Sequence, residues 1–115
     1  MSNNLKFYIN GQWVDPSTST TLDVINPATE EPIGKIAMGG QEDVDRAVAA
    51  AKDAFDSFSM TTREERIALL EKIIEKYQER MGDIAAAISQ EMGAPLPLAN
   101  KAQAPAGLGH MMTVL

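Results

Sequence analysis

At Gln41 the apolar residues of this chain stop recurring at every second position and begin recurring at every third or fourth. Such a switch places extended structure before residue 41 and helices after it. It predicts an α+β chain of two N-terminal β-hairpins followed by three to four helices. Leu5-Lys6-Phe7-Tyr8-Ile9 and Gln12-Trp13-Val14 are aromatic and β-branched runs on either side of Asn10-Gly11, a dipeptide that tolerates positive φ at both centres of a type I′ turn. Turn formers fill residues 15–20. Thr21-Leu22-Asp23-Val24-Ile25 then alternates until Pro27, which has no N–H to extend a ladder. A second extended segment over residues 33–38 is expected after a turn through Glu30-Glu31-Pro32.

Val44, Ala47, Val48, Ala51, Phe55 and Phe58 share one stripe of the first expected helix, and Glu42 and Asp43 fall in its first turn, where the helix dipole favours acids. Thr62-Arg63-Glu64-Glu65 has the spacing of a capping box at the start of a second helix. Ile67, Leu70, Ile74, Tyr77 and Met81 form its expected buried stripe. Asp83 is the expected cap of a third helix, which carries Ile84, Ala87, Ile88 and Met92 and is ended by Gly93, with Pro95 just beyond. Residues 96–115 are apolar but contain Pro97, Pro105, Gly107 and Gly109, which predicts a weak helix interrupted near Pro105. The pattern is still apolar at Met111-Met112-Thr113-Val114-Leu115, without a cap or polar stop, as expected of a truncated chain.

Sixteen acids against ten lysines and arginines leave a net charge of −6, which disfavours a polyanion such as nucleic acid as partner. Lys72, Lys76 and Arg80 recur at helical spacing, but Glu71, Glu75 and Glu79 run beside them, so they read as a solvated face. No apolar run has the length of a membrane span, and Met1-Ser2-Asn3-Asn4 lacks the basic and apolar regions of a signal peptide. A cytoplasmic protein with no membrane partner is expected. The absence of cysteine excludes disulfides, thiolate metal sites and thiol catalysis within these residues.

The polar and glycine motifs are weak carriers of chemistry. Gly107-Leu108-Gly109 begins a glycine pattern, yet no strand precedes it and no third glycine follows, so helix-packing glycines are the better reading. His110 has no second ligand nearby and reads as a partly buried polar side chain. The adjacent acids Glu30/Glu31, Glu42/Asp43 and Glu64/Glu65 sit at turns or helix starts, where capping and solvation account for them. Tyr8 and Trp13 read as hairpin packing. Glu91 lies in the last turn of the third helix, where the negative end of the dipole disfavours another negative charge unless a cation is near.

Taken in order, Val24-Ile25-Asn26-Pro27-Ala28-Thr29-Glu30-Glu31-Pro32-Ile33-Gly34, the block over residues 63–77, and Glu91-Met92-Gly93-Ala94-Pro95 make the chain resemble the start of an aldehyde dehydrogenase. The resemblance implies a Rossmann-like α/β fold in the complete protein, with residues 1–115 forming the N-terminal portion of its cofactor-binding domain and the catalytic domain absent. It implies oxidation of an aldehyde to a carboxylic acid with NAD or NADP, through a thiohemiacetal on cysteine, in a homodimer or homotetramer. No catalytic or cofactor-binding residue falls to this segment, which is expected to be an inactive scaffold that binds no dinucleotide by itself.

The resemblance further implies a structural Na+ or K+ held by the main-chain carbonyls of Val24 and Ile25 and the carboxylate of Glu91, where family members commonly carry aspartate. An arginine, lysine or water partner for Glu91 is the alternative. The helix over residues 96–115 would flank the aldehyde entrance, with Gln103, Ala106, Gly107 and His110 on its passage-facing side. Small side chains at Ala106 and Gly107 would leave room for a bulky aldehyde. A reading from another class is a non-catalytic helical module for interaction or oligomerisation.

Overall fold

The computed structural model describes residues 3–115; the Met1-Ser2 part of the N-terminal reading lies outside the described residues. Strands β1 (Phe7–Ile9) and β2 (Gln12–Val14) pair antiparallel with Phe7 opposite Val14 and Ile9 opposite Gln12. Asn10 and Gly11 take φ of 51° and 76°, as the type I′ turn requires. Tyr8 and Trp13 face each other across the strands with ring centroids 5.3 Å apart, a tilted arrangement that suits their quadrupoles.

Strands β3 (Thr21–Asn26) and β4 (Glu31–Ala37) form a separate two-stranded sheet. Its turn comes earlier than the sequence predicts. The Asn26 carbonyl accepts from the amides of Thr29 (3.3 Å) and Glu30 (2.7 Å), and the Asn26 side chain accepts from Ala28 N at 2.9 Å. Glu30 completes the reversal at φ 61°. The local bonds of Asn26 therefore set the turn at residues 27–30, and Glu31 and Pro32 belong to the strand. A two-stranded sheet has an unpaired side on each strand, where a proline forfeits no ladder bond.

Helix α1 spans Gln41–Phe58, α2 Arg63–Glu79 and α3 Met81–Met92. Thr62 caps α2 as the sequence predicts: its hydroxyl accepts from Glu65 N (3.1 Å), and the Glu65 carboxylate accepts from Thr62 N (2.7 Å). The start of α3 departs from expectation. Met81 opens it instead of closing α2, and Asp83 lies inside its first turn, beside Arg80 Nε at 3.3 Å, instead of capping it. Gly93 ends α3 in the left-handed region at φ 69°.

Beyond Pro95 come a single turn, α4 (Leu96–Leu98), a π-helical turn (Ala99–Gln103) and α5 (Ala104–Met112). The expected break at Pro105 does not occur. In a regular helix the ring of Pro105 would meet the carbonyl four residues back. Here Ala104 N–H reaches back five residues to the Ala99 carbonyl, and this wider turn accommodates the proline.

The chain divides into two compact units, one holding the residues through Ile25 together with Pro32–Met60, the other Asn26–Glu31 and Thr61–Leu115. The second contains the core. Ala85, Ala99 and Ala104 are fully buried, with Met81, Ile84 and Ile88 packed around them. Alanines at this centre let α3, the π-turn and α5 approach closely. Ile74 is buried on α2, with Ile67, Leu70 and Tyr77 half-buried on the same stripe. On α3 the buried face includes Ala85 and leaves out Ala87 and Met92, which are exposed.

In the first unit the expected stripe of α1 is not buried. Phe55 is 66% exposed, Val44 54% and Phe58 49%, whereas the buried residue of this helix is an acid, Asp43. Periodicity identifies an apolar face but carries no information about what covers it. No helix among the described residues is long and apolar enough to cross a membrane.

Candidate functional site

The densest polar cluster of the first unit surrounds Asp43, the third residue of α1. Its carboxylate accepts from Ser17 N (2.9 and 3.1 Å), Ser17 Oγ (2.7 Å) and Gly40 N (2.9 Å), and pairs with the Arg46 guanidinium, which also reaches the Asp15 carbonyl at 3.2 Å. The Ser17 hydroxyl holds this carboxyl far below the ordinary carboxylate range. The amides of Gly40 and Ser17 and the Arg46 guanidinium act in the same direction, against the opposing effect of burial. Capping therefore accounts for part of Asp43's role, as expected, but solvation does not: it is 4% exposed. Gly39 and Gly40 make the approach possible, since a Cβ at Gly40 would lie 3.0 Å from the Thr18 methyl and one at Gly39 3.3 Å from the Phe7 ring.

Beside the cluster runs an open groove of about 510 Å³ lined by Phe7, Tyr8, Ile9, Val44 and Ala47. Asp43 is the titratable group that faces it with perturbed acidity, and its oxygens are already engaged by four donors. A carboxylate kept ionised in this way is a structural anchor and a poor proton carrier near neutral pH.

In the second unit Tyr77 joins α2 to α5. Its hydroxyl donates to the Ala104 carbonyl at 2.8 Å. A Cβ built on Gly107 would collide with that hydroxyl and lie 3.0 Å from ring carbon Cζ. The space at Gly107 is thus filled by Tyr77, which agrees with the packing-glycine reading of Gly107-Leu108-Gly109. Of the other residues assigned to the aldehyde entrance, Gln103 is half-buried, as Gly107 is, and Ala106 and His110 are exposed. His110 is more open than the partly buried side chain expected of it. Gln103 Oε1 is buried with no hydrogen-bond partner.

Val24 is half-buried and Ile25 45% exposed on β3, and Glu91 is exposed in the last turn of α3. The Glu91 carboxylate has no hydrogen-bond or ion-pair partner among the described residues. The Asn26-Pro27 turn, which follows Ile25, packs on the end of α3: a Cβ at Gly93 would fall 2.9 Å from Pro27 Cγ. No group of three or more His, Asp or Glu that could hold a metal ion occurs among the described residues.

Sequence reasoning missed the Ser17–Asp43 and Tyr77–Gly107 contacts. A glycine pair directly before an acid in a helix's first turn was the available signal for the first. The second had no local signal.

The model of the aldehyde dehydrogenase family matches residues 13–112. The chain is 50% identical over 109 residues to a 3-succinoylsemialdehyde-pyridine dehydrogenase from a Pseudomonas species, covering 94% of this chain and 23% of that protein. Among crystal structures, an aldehyde dehydrogenase from Bartonella henselae matches with a TM-score of 0.94 and 47% identity over 97% of this chain and 24% of that one. A mutant aldehyde dehydrogenase from Pseudomonas syringae, solved with NAD+ and octanal, matches with a TM-score of 0.94 and 43% identity over 96% of this chain and 23% of that one. The chain spans about a quarter of the length of the relatives it matches.

Proposed function

Since the chain belongs to the aldehyde dehydrogenase family, we propose that it forms the N-terminal portion of the cofactor-binding domain of an NAD(P)-dependent enzyme that oxidises an aldehyde to a carboxylic acid. The observation that carries this is the likeness along nearly the whole chain to an enzyme solved with NAD+ and octanal. In that reaction the nicotinamide supplies the hydride acceptor. The residues present do not fit a dinucleotide cradle. Among the described residues the strands pair as two-stranded hairpins, and the Gly107 backbone, inside a helix, is covered by Tyr77. The role proposed for these residues is to pack and position: the Asp43 cluster fastens the segment before β3 to α1, the alanine core sets α5 against α3, and Tyr77 joins it to α2.

The same proposal places Ala106 and His110, with Gln103 and Gly107 behind them, at the aldehyde entrance. It places Na+ or K+ at the carbonyls of Val24 and Ile25 with the Glu91 carboxylate, supported by the family resemblance and by Glu91's lack of a protein partner. It includes a cytoplasmic homodimer or homotetramer acting on a small-molecule aldehyde. The second reading, an interaction or oligomerisation module, draws on the uncovered apolar stripe of α1.

Replacing the matching first quarter of the Bartonella henselae enzyme with this chain tests the proposal. The chimera is expected to reduce NAD+ in the presence of aldehyde, whereas the 115-residue chain alone is not, having no cysteine nucleophile. A chimera that folds and binds NAD+ but oxidises no aldehyde overturns the proposal. Glu91→Gln in the active chimera should abolish any dependence of thermal stability on the choice of monovalent cation.

A further inference from the structure

We infer that Tyr77 is a positioning residue that sets the rotation of α5 about its own axis and thereby the placement of Ala106 and His110. This rests on the reading that α5 lines the aldehyde entrance. Tyr77 lies on α2 and meets α5 twice, through its hydroxyl bond to the Ala104 carbonyl and through the notch at Gly107 that its hydroxyl and ring fill. Between those contacts Pro105 contributes no amide, and the backbone enters α5 through a π-turn instead of a continuous α-helical ladder. Side-chain contact therefore supplies the rotational constraint that the backbone there supplies less firmly. At about 100° per residue, Ala106 and His110 lie roughly 100° and 60° from Gly107 on the same side of α5. A rotation of α5 carries both together, and a methyl at Gly107 must either rotate the helix or displace Tyr77.

The test uses the active chimera and compares a short aldehyde with octanal. Gly107→Ala is expected to change KM for octanal several-fold while kcat and the KM for the short aldehyde stay near their starting values. Tyr77→Phe, which keeps the ring and loses the hydroxyl bond, should give a smaller change of the same kind. The double variant Tyr77→Phe with Gly107→Ala should recover toward Tyr77→Phe, because the atom that collides with the new methyl is the hydroxyl. Ala106→Trp reports on the entrance reading itself. If Ala106→Trp alters KM for octanal but neither Gly107→Ala nor Tyr77→Phe does, the positioning role is overturned and the entrance reading stands. If Ala106→Trp also leaves KM unchanged, the entrance reading falls and the inference with it. Uniform loss of kcat and thermal stability for both aldehydes, with no rescue in the double variant, would show that Tyr77 serves the fold alone.

Discussion

Ser17 and Asp43, 26 residues apart, are joined by three hydrogen bonds: the Ser17 amide reaches both carboxylate oxygens and its hydroxyl reaches one of them. Because the same carboxylate also holds Gly40 N and Arg46, one side chain fixes both the loop before β3 and the first turn of α1.

Ser17→Ala removes one bond and is expected to destabilise the fold by about 1 kcal/mol. Asp43→Ala leaves several donors without their acceptor and should destabilise it more, lowering the urea midpoint further than the serine substitution does. Urea denaturation followed by circular dichroism gives the order; equal midpoints would contradict the anchor role.

Asp43 also predicts an acid limit. Its carboxyl is held below its ordinary value, so its contribution is complete above the unfolded carboxylate pKa of about 3.9 and is lost as pH falls toward the folded value. Below about pH 4 the unfolded chain binds a proton here that the folded chain does not. Stability of the parent chain should therefore fall more steeply with acid than that of Asp43→Asn, as acid titrations of the two would show.

Thr62→Ala should weaken the start of α2 by about 1 kcal/mol, because Glu65 N loses its acceptor. Thr61→Ala should cost less, because the hydroxyl that accepts from the α2 amide of Glu65 is that of Thr62. Thermal melts that reverse this order would place the cap one residue earlier.

Gly82, in the first turn of α3, and Gly93, its C-cap, should respond oppositely to alanine. Gly82 has open space around it, and Gly82→Ala should stabilise by about 0.5 kcal/mol through helix propensity. Gly93→Ala forces a left-handed backbone on a residue with a Cβ and pushes that Cβ into Pro27, so it should destabilise by about 2 kcal/mol. Chemical denaturation of both variants checks the pair.

Large apolar side chains on α1 stand open to solvent, among them Phe55 and Val44. The isolated chain should therefore bind an apolar fluorescent dye and self-associate with rising concentration. A monodisperse monomer that binds no dye, measured by ultracentrifugation and fluorescence, would show that this face is covered in solution.

Structure set by neighbouring residues was legible in the sequence. Asn10-Gly11 specifies its turn, Thr62 and Glu65 cap each other across three residues, and Gly93 stops α3 where its φ allows. The start of α3 was misread because Asp83 is as good an N-cap as a first-turn acid, and sequence spacing does not separate the two. Pro105 was read as a break because a proline forbids the α register, whereas the π register that resolves the conflict leaves no mark in composition. Tyr77 and Gly107 lie 30 positions apart and meet only when α2 and α5 pack, so nothing local to either marks the contact that orders the proposed entrance. The α1 stripe was legible as apolar, but burial depends on a second surface that a one-dimensional pattern does not contain.

The turn that holds Pro27 against Gly93 belongs to the helical unit, although the strands on either side of it lie largely in the other. The chain consequently changes units after Ile25, after Glu31 and after Met60. A single cut between Met60 and Thr61 would leave the hexapeptide Asn26–Glu31 tethered to the wrong piece. The two units are interleaved in sequence, so a cut at that one junction separates the helical unit from Pro27, the residue packed against the end of its own helix α3.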